Sequence, residues 1–151
     1  QYVSELLAKH GYVVLGIDNY FNGERKGKGP AGDKEVMKRG SDQELSLFKL
    51  NLWLGRTLWG MMLRDEQIAL DYLVSRPEVD PTRVGAQRMS MGSTRAWWLA
   101  AIDDRIKAVV GVACLTRYED IIATRNLSAH GIYYFVPGIL THFDSDGVMA
   151  L

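Results

Sequence analysis

The run Arg83-Val84-Gly85-Ala86-Gln87-Arg88-Met89 reads as a β-strand. Ser90-Met91-Gly92-Ser93 follows it at once, ahead of a helical pattern through Trp97, Trp98, Leu99 and Ile102. A strand that passes into a helix at one serine admits few backbones, and it has the layout of a nucleophile elbow. The serine must sit on a sharp corner, so the residues two before and two after it should be small enough to let strand and helix approach. Gly92 meets that demand. Arg88 does not, because Arg88-Met89-Ser90-Met91-Gly92 places a long cationic side chain where G-x-S-x-G has its first glycine. Two readings of the corner stand side by side. Ser90 is a nucleophile presented on a strained turn, or Ser90 or Ser93 is an ordinary helix cap that satisfies free backbone N–H groups.

The surrounding pattern favours the first reading. Val3, Leu6 and Leu7 predict a helix over Tyr2–Lys9, with His10-Gly11 as its stop and His10 at the end where a cation is favoured. Residues 12–18, Tyr-Val-Val-Leu-Gly-Ile-Asp, are apolar on both faces and predict a buried parallel strand. Residues 22–42 are rich in glycine and basic side chains and predict a loop, either a solvated connection or the mouth of a site. Residues 44–76 predict two helices broken near Gly55 or Gly60, the second with Met62, Ala69, Leu70, Leu73 and Val74 on one side. Pro77 ends that helix, and Asp80-Pro81 makes a turn. Residues 106–114 are the most strand-like run, 118–125 suit a short helix, and Tyr133-Tyr134-Phe135-Val136-Pro137 has no period. Alternating helices and strands predict an α/β chain, a three-layer αβα sandwich around a mostly parallel sheet.

Composition narrows the function. The chain has 151 residues, 47% hydrophobic, with 18 basic and 18 acidic side chains, so a core can form and no net charge recruits nucleic acid or an anionic membrane. Cys114 is the single cysteine, which excludes an intramolecular disulfide and a Cys-rich zinc site; it is expected to be a small core residue. The three histidines and scattered carboxylates have no metal-ligand spacing, and no metal or cofactor is expected. No apolar run approaches the roughly 20 residues of a membrane helix. The chain opens on Gln1, so localisation stays open. Residues 23–28 fall one position short of a phosphate-binding loop, and Gly29 stands where that loop needs a hydroxyl. Trp97 and Trp98 are expected to pack in the core.

Several of these runs together resemble a known family. The stretch Arg83-Val84-Gly85-Ala86, then Met89-Ser90-Met91-Gly92-Ser93-Thr94-Arg95-Ala96-Trp97-Trp98-Leu99-Ala100-Ala101, then Asp104-Arg105-Ile106-Lys107-Ala108-Val109-Val110-Gly111, resembles the central part of α/β-hydrolases of the dienelactone hydrolase and acetyl xylan esterase type. Residues 11–25 resemble the strand and loop that lie two helices earlier in those enzymes. The resemblance implies a carboxylic ester hydrolase with Ser90 as nucleophile and the backbone N–H of Met91 as one oxyanion donor. It implies a small-molecule ester as substrate, with acylated carbohydrate one candidate.

The family order is serine, then acid, then histidine on later strands. No such strands are readable after Cys114. His130, His142, Asp144 and Asp146 lie downstream, but His142-Phe143-Asp144 puts base and acid on one short segment, in the wrong order. Residues 1–151 are therefore expected to be one partial α/β-hydrolase domain, an incomplete fold without its N-terminal strands and its acid and histidine strands. Such a chain is expected to be inactive alone and to expose sheet edges prone to aggregation. The rival reading is a non-catalytic relative that binds through the old pocket, and Arg88 favours it.

Overall fold

The computed structural model describes residues 2–25 and 40–151. The chain divides into two compact units, Gln1–Leu58 and Trp59–Leu151.

In the first unit, α1 (Tyr2–Lys9) carries an ion pair between Glu5 and Lys9 at 2.9 Å. It ends as His10-Gly11 predicts. Gly11 takes φ +86, the Gly11 N–H donates to the Ala8 carbonyl at 3.0 Å, and the Tyr12 N–H donates to that of Leu7 at 3.2 Å. This pair of reversed bonds satisfies carbonyls that the last turn leaves open. The second helix, α2 (Gly40–Trp53), stops in the same way. Gly55 at φ +67 lets the Arg56 N–H reach the Asn51 carbonyl at 2.8 Å, so the break expected near Gly55 or Gly60 falls at Gly55.

The strand expected over 12–18 is not formed. The run has no regular secondary structure and no ladder partner among the described residues, and Tyr12 and Val13 are 62% and 47% exposed. Apolarity on both faces states what a run would bury if neighbours flanked it; a strand exists only by pairing. Beyond it, Gly23–Arg25 forms one tight turn folded onto Asp18, whose Oδ2 accepts the Glu24 N–H at 2.9 Å. Lys28 and Gly29 of the near-miss phosphate loop lie outside the described residues, as does most of the loop read over 22–42.

The second unit holds most of α3 (Leu58–Val74), which gives way to the turn at Asp80. There the Arg83 N–H donates to the Asp80 carbonyl at 3.2 Å, and the Asp80 side chain accepts from the Thr82 N–H and hydroxyl. Strand β1 (Val84–Met89), helix α4 (Met91–Ile102) and strand β2 (Ile106–Val112) follow. The strands pair in parallel, with Arg88 opposite Gly111 and Met89 opposite Val112. Arg105 ties the α4–β2 connection to α3, holding Asp103 and Asp71 each at 2.7 Å. Among the described residues, helices together with a parallel two-stranded sheet make the chain α/β.

Helix α4 packs on one face of the sheet. Gly111 is required there, since a Cβ at that position would stand 2.6 Å from the Ser93 Oγ. The seven residues from Ser93 to Leu99 are all buried, so this helix has no solvent stripe along its middle. The opposite sheet face leaves Met89, Val110 and Val112 at 69%, 57% and 48% exposure.

After β2 come α5 (Tyr118–Ala123), three single turns and α6 (Ser145–Met149). The aperiodic aromatic stretch supplies core: Tyr133 and Tyr134 are buried, Tyr134 stacks on Tyr118 at 4.5 Å, and Trp59 stands edge-on to Trp98 at 5.9 Å. Trp97 and Trp98 are buried as expected.

Candidate active site

Ser90 occupies the corner between β1 and α4 with φ 56 and ψ −129, a conformation that L residues rarely adopt. Two backbone bonds hold it. Its N–H donates to the Val112 carbonyl at 2.8 Å, and its own carbonyl accepts from Thr94 at 3.3 Å. The side chain is exposed and makes no capping hydrogen bond, so the reading of Ser90 as an ordinary helix cap is not realised. Ser93 is fully buried and its hydroxyl has no hydrogen-bond partner among the described residues, which disposes of the same reading there. Met91 begins α4, so its peptide unit stands at the positive end of the helix.

Cys114 differs from expectation. It lies past the end of β2, only partly buried, after a bend in which Ala113 and Cys114 take φ 64 and 58. That bend brings the Cys114 Sγ to 3.8 Å from the Ser90 Oγ. Apolarity of the strand suggested core burial, but the turn at its end redirects the thiol.

Arg88 is accommodated without widening the corner. A Cβ on Gly92 would meet the Arg88 Cβ and Cδ at 3.0 Å, so the one glycine leaves room for the arginine stem. The Arg88 Nη2 then reaches the Glu66 Oε2 at 3.2 Å, while the Arg95 Nη2 pairs with the Glu66 Oε1. Glu66 and Arg95 were not singled out from the sequence. A signal was present in Arg95, the one charged side chain of the helical run Met91–Ile102, since a buried charge demands a partner.

The downstream candidates do not meet Ser90: among the described residues, no histidine or carboxylate forms a hydrogen bond to it. Asp144 serves the backbone instead. Its Oδ1 accepts from the Tyr118 N–H at 2.7 Å and its Oδ2 from Glu119 at 2.9 Å, capping α5, while Oδ1 also accepts from Ser145 at the start of α6. Burial pushes this carboxyl up, but the N–H donors of Glu119, Tyr118 and Ser145 outweigh it and hold the group below the usual carboxylate range. Asp146 lies 3.6 Å from the Arg117 Nε. His130 stacks on Tyr134 and, with Thr116, Asp120, Ile121, Thr124 and Asn126, lines a cavity of about 250 Å³. His142 follows the Ile139–Thr141 turn and is exposed.

Among the described residues, no three His, Cys, Asp or Glu side chains gather as a metal site, and no helix is long and apolar enough to cross a membrane.

The chain is 40% identical over 148 residues to the Bacillus subtilis (strain 168) protein named "Putative hydrolase YtaP", with 98% of this chain aligned. It spans 45% of that relative's length. No solved structure matches it significantly. The family model of the dienelactone hydrolases matches residues 1–138, a span that includes the whole β1–Ser90–α4 corner and both strands of the sheet. On that match the chain belongs to the dienelactone hydrolase family of the α/β-hydrolase superfamily.

Proposed function

We propose that Ser90 is the nucleophile of a carboxylic ester hydrolase that works through an acyl-serine intermediate. The observation that carries this reading is the backbone of Ser90, a strained positive φ on an exposed corner between a parallel strand and a helix. A serine with no capping duty has no structural reason to be held there. In the proposed reaction the Ser90 hydroxyl attacks the ester carbonyl as a base removes its proton. The Met91 N–H and the positive end of α4 then stabilise the oxyanion. Collapse expels the alcohol, and water hydrolyses the acyl-serine.

The base and its orienting acid are assigned to groups outside residues 1–151. The family order of serine, acid and histidine supports this, as do the Asp144 contacts, which are spent on the backbone of α5 and α6. A small ester is the substrate class, with acylated carbohydrate one member. The test is Ser90→Ala in the full-length protein. Hydrolysis of p-nitrophenyl acetate is expected to fall by about a thousandfold or more, and a fluorophosphonate probe is expected to label the wild type alone. Full activity in Ser90→Ala would remove Ser90 from the mechanism.

A second reading, a non-catalytic binding module, is favoured by one feature: the neighbour of the Ser90 hydroxyl is the Cys114 thiol rather than an imidazole. It predicts a full-length protein with no hydrolysis and no labelling.

A further inference from the structure

We infer that Glu66 is a positioning residue for Ser90, acting through Arg88 and Arg95 as a clamp on both arms of the corner; the inference rests on the nucleophile reading above. A non-glycine residue at φ 56 and ψ −129 persists only where its surroundings over-determine it. In the G-x-S-x-G pattern two small residues do this by letting strand and helix touch. Here the strand side carries Arg88, and that direct contact is replaced by an ionic tie to a third element.

The tie has two arms from one carboxylate. Through Oε2, Glu66 of α3 holds the Nη2 of Arg88, two residues before Ser90, at 3.2 Å. Through Oε1 it pairs with the Nη2 of Arg95, five residues after Ser90 and just over one turn into α4. Glu66 and Arg95 are 6% and 2% exposed, which makes their pair a fixed point inside the protein. Arg88 hangs from that point, and its stem lies against Gly92, so a shift of β1 relative to α4 must break either the ion pair or the stem contact. One acceptor facing two cations also explains the residue type. A carboxylate offers two equivalent oxygens in two directions, whereas a glutamine offers one oxygen and a donor that would face a guanidinium. The arginine that departs from the motif is thereby part of the device that holds the serine.

The test uses the full-length protein with p-nitrophenyl acetate as substrate and thermal unfolding as the control for folding. Arg88 is partly exposed, so Arg88→Ala removes one arm without leaving a buried charge. It is expected to lower kcat roughly tenfold or more with KM nearly unchanged, the signature of a misplaced reacting group. Arg88→Lys keeps the stem and the cation and is expected to recover most of the loss. Glu66→Met combined with Arg95→Met removes the buried pair as a unit, a change folds commonly tolerate, and is expected to lower kcat similarly at a near wild-type melting midpoint. Wild-type kcat in Arg88→Ala, with Ser90→Ala inactive, would overturn the clamp and leave the nucleophile reading standing. Activity retained in Ser90→Ala, or absent from the wild type, would overturn both.

Discussion

The Cβ that Gly111 lacks would stand 2.6 Å from the Ser93 Oγ, a hydroxyl that is fully buried and has no hydrogen-bond partner among the described residues. Strand β2 and helix α4 therefore approach at one point set by the smallest residue on one side and a tolerated polar atom on the other. Gly111→Ala is expected to cost about 1–3 kcal/mol through overpacking. Ser93→Ala removes the clashing oxygen and leaves the Ser93 Cβ 3.7 Å from the new methyl, an ordinary contact. The double variant is expected to regain most of the loss, as measured by urea unfolding; a double variant no more stable than Gly111→Ala would argue against this packing.

Ser90 itself costs stability. At φ 56 a glycine carries no Cβ penalty, so Ser90→Gly is expected to raise stability by about 1 kcal/mol, whereas Ser90→Ala should leave the strain in place. Thermal melts of the two variants check the difference. Equal stability of glycine and alanine would mean that the corner is relaxed in solution.

Asp144 joins α5 and α6 by accepting from three backbone N–H groups. Its folded pKa lies below the ordinary value of 3.8, so the stability it contributes is present above that value and is lost as pH falls through the folded pKa. Asp144→Asn is expected to lose about 1–2 kcal/mol at neutral pH, the scale of a lost cap, and to show a flatter acid limb than the wild type. Denaturant midpoints measured from neutral pH down into the carboxylate range test both parts.

At the alkaline end the sign reverses. Burial first, and then the neighbouring Asp144 carboxylate, push the Tyr134 phenol up to about 12. Tyr118 is raised too, chiefly by burial. Groups with raised folded pKa values contribute fully below their ordinary value of 10.0, and the contribution fades as pH climbs through the folded pKa. Unfolding is therefore expected to set in above pH 10, with tyrosinate absorbance appearing together with loss of structure. Tyr134→Phe should move that onset upward, and an unmoved onset would assign it elsewhere.

Local signals were legible in the sequence. Gly11 and Gly55 end their helices at positive φ, Pro77 follows α3, Asp80 makes its turn, and Ser90 takes the corner that its neighbours announce. Each is decided within a few residues. The run 12–18 was misread because burial depends on partners that no local pattern specifies. Arg88 looked like an obstacle because its partner, Glu66, stands on another helix, and the Cys114 thiol meets Ser90 only through a bend invisible in a strand-like run. Tyr133 and Tyr134 pack through ring contacts that obey no period.

Among the described residues β1 pairs with β2 alone, and this has a consequence for proton exchange. In a parallel pair each strand turns alternate N–H groups toward its neighbour and the others outward. With two strands in the sheet among the described residues, amides along Val84–Met89 and Ile106–Val112 should divide into slow and fast classes with a period of two. A further strand docking on one edge would slow only the outward amides of that strand. Deuterium uptake at single-residue resolution would then read out which edge is occupied, and in what order, as more chain is added.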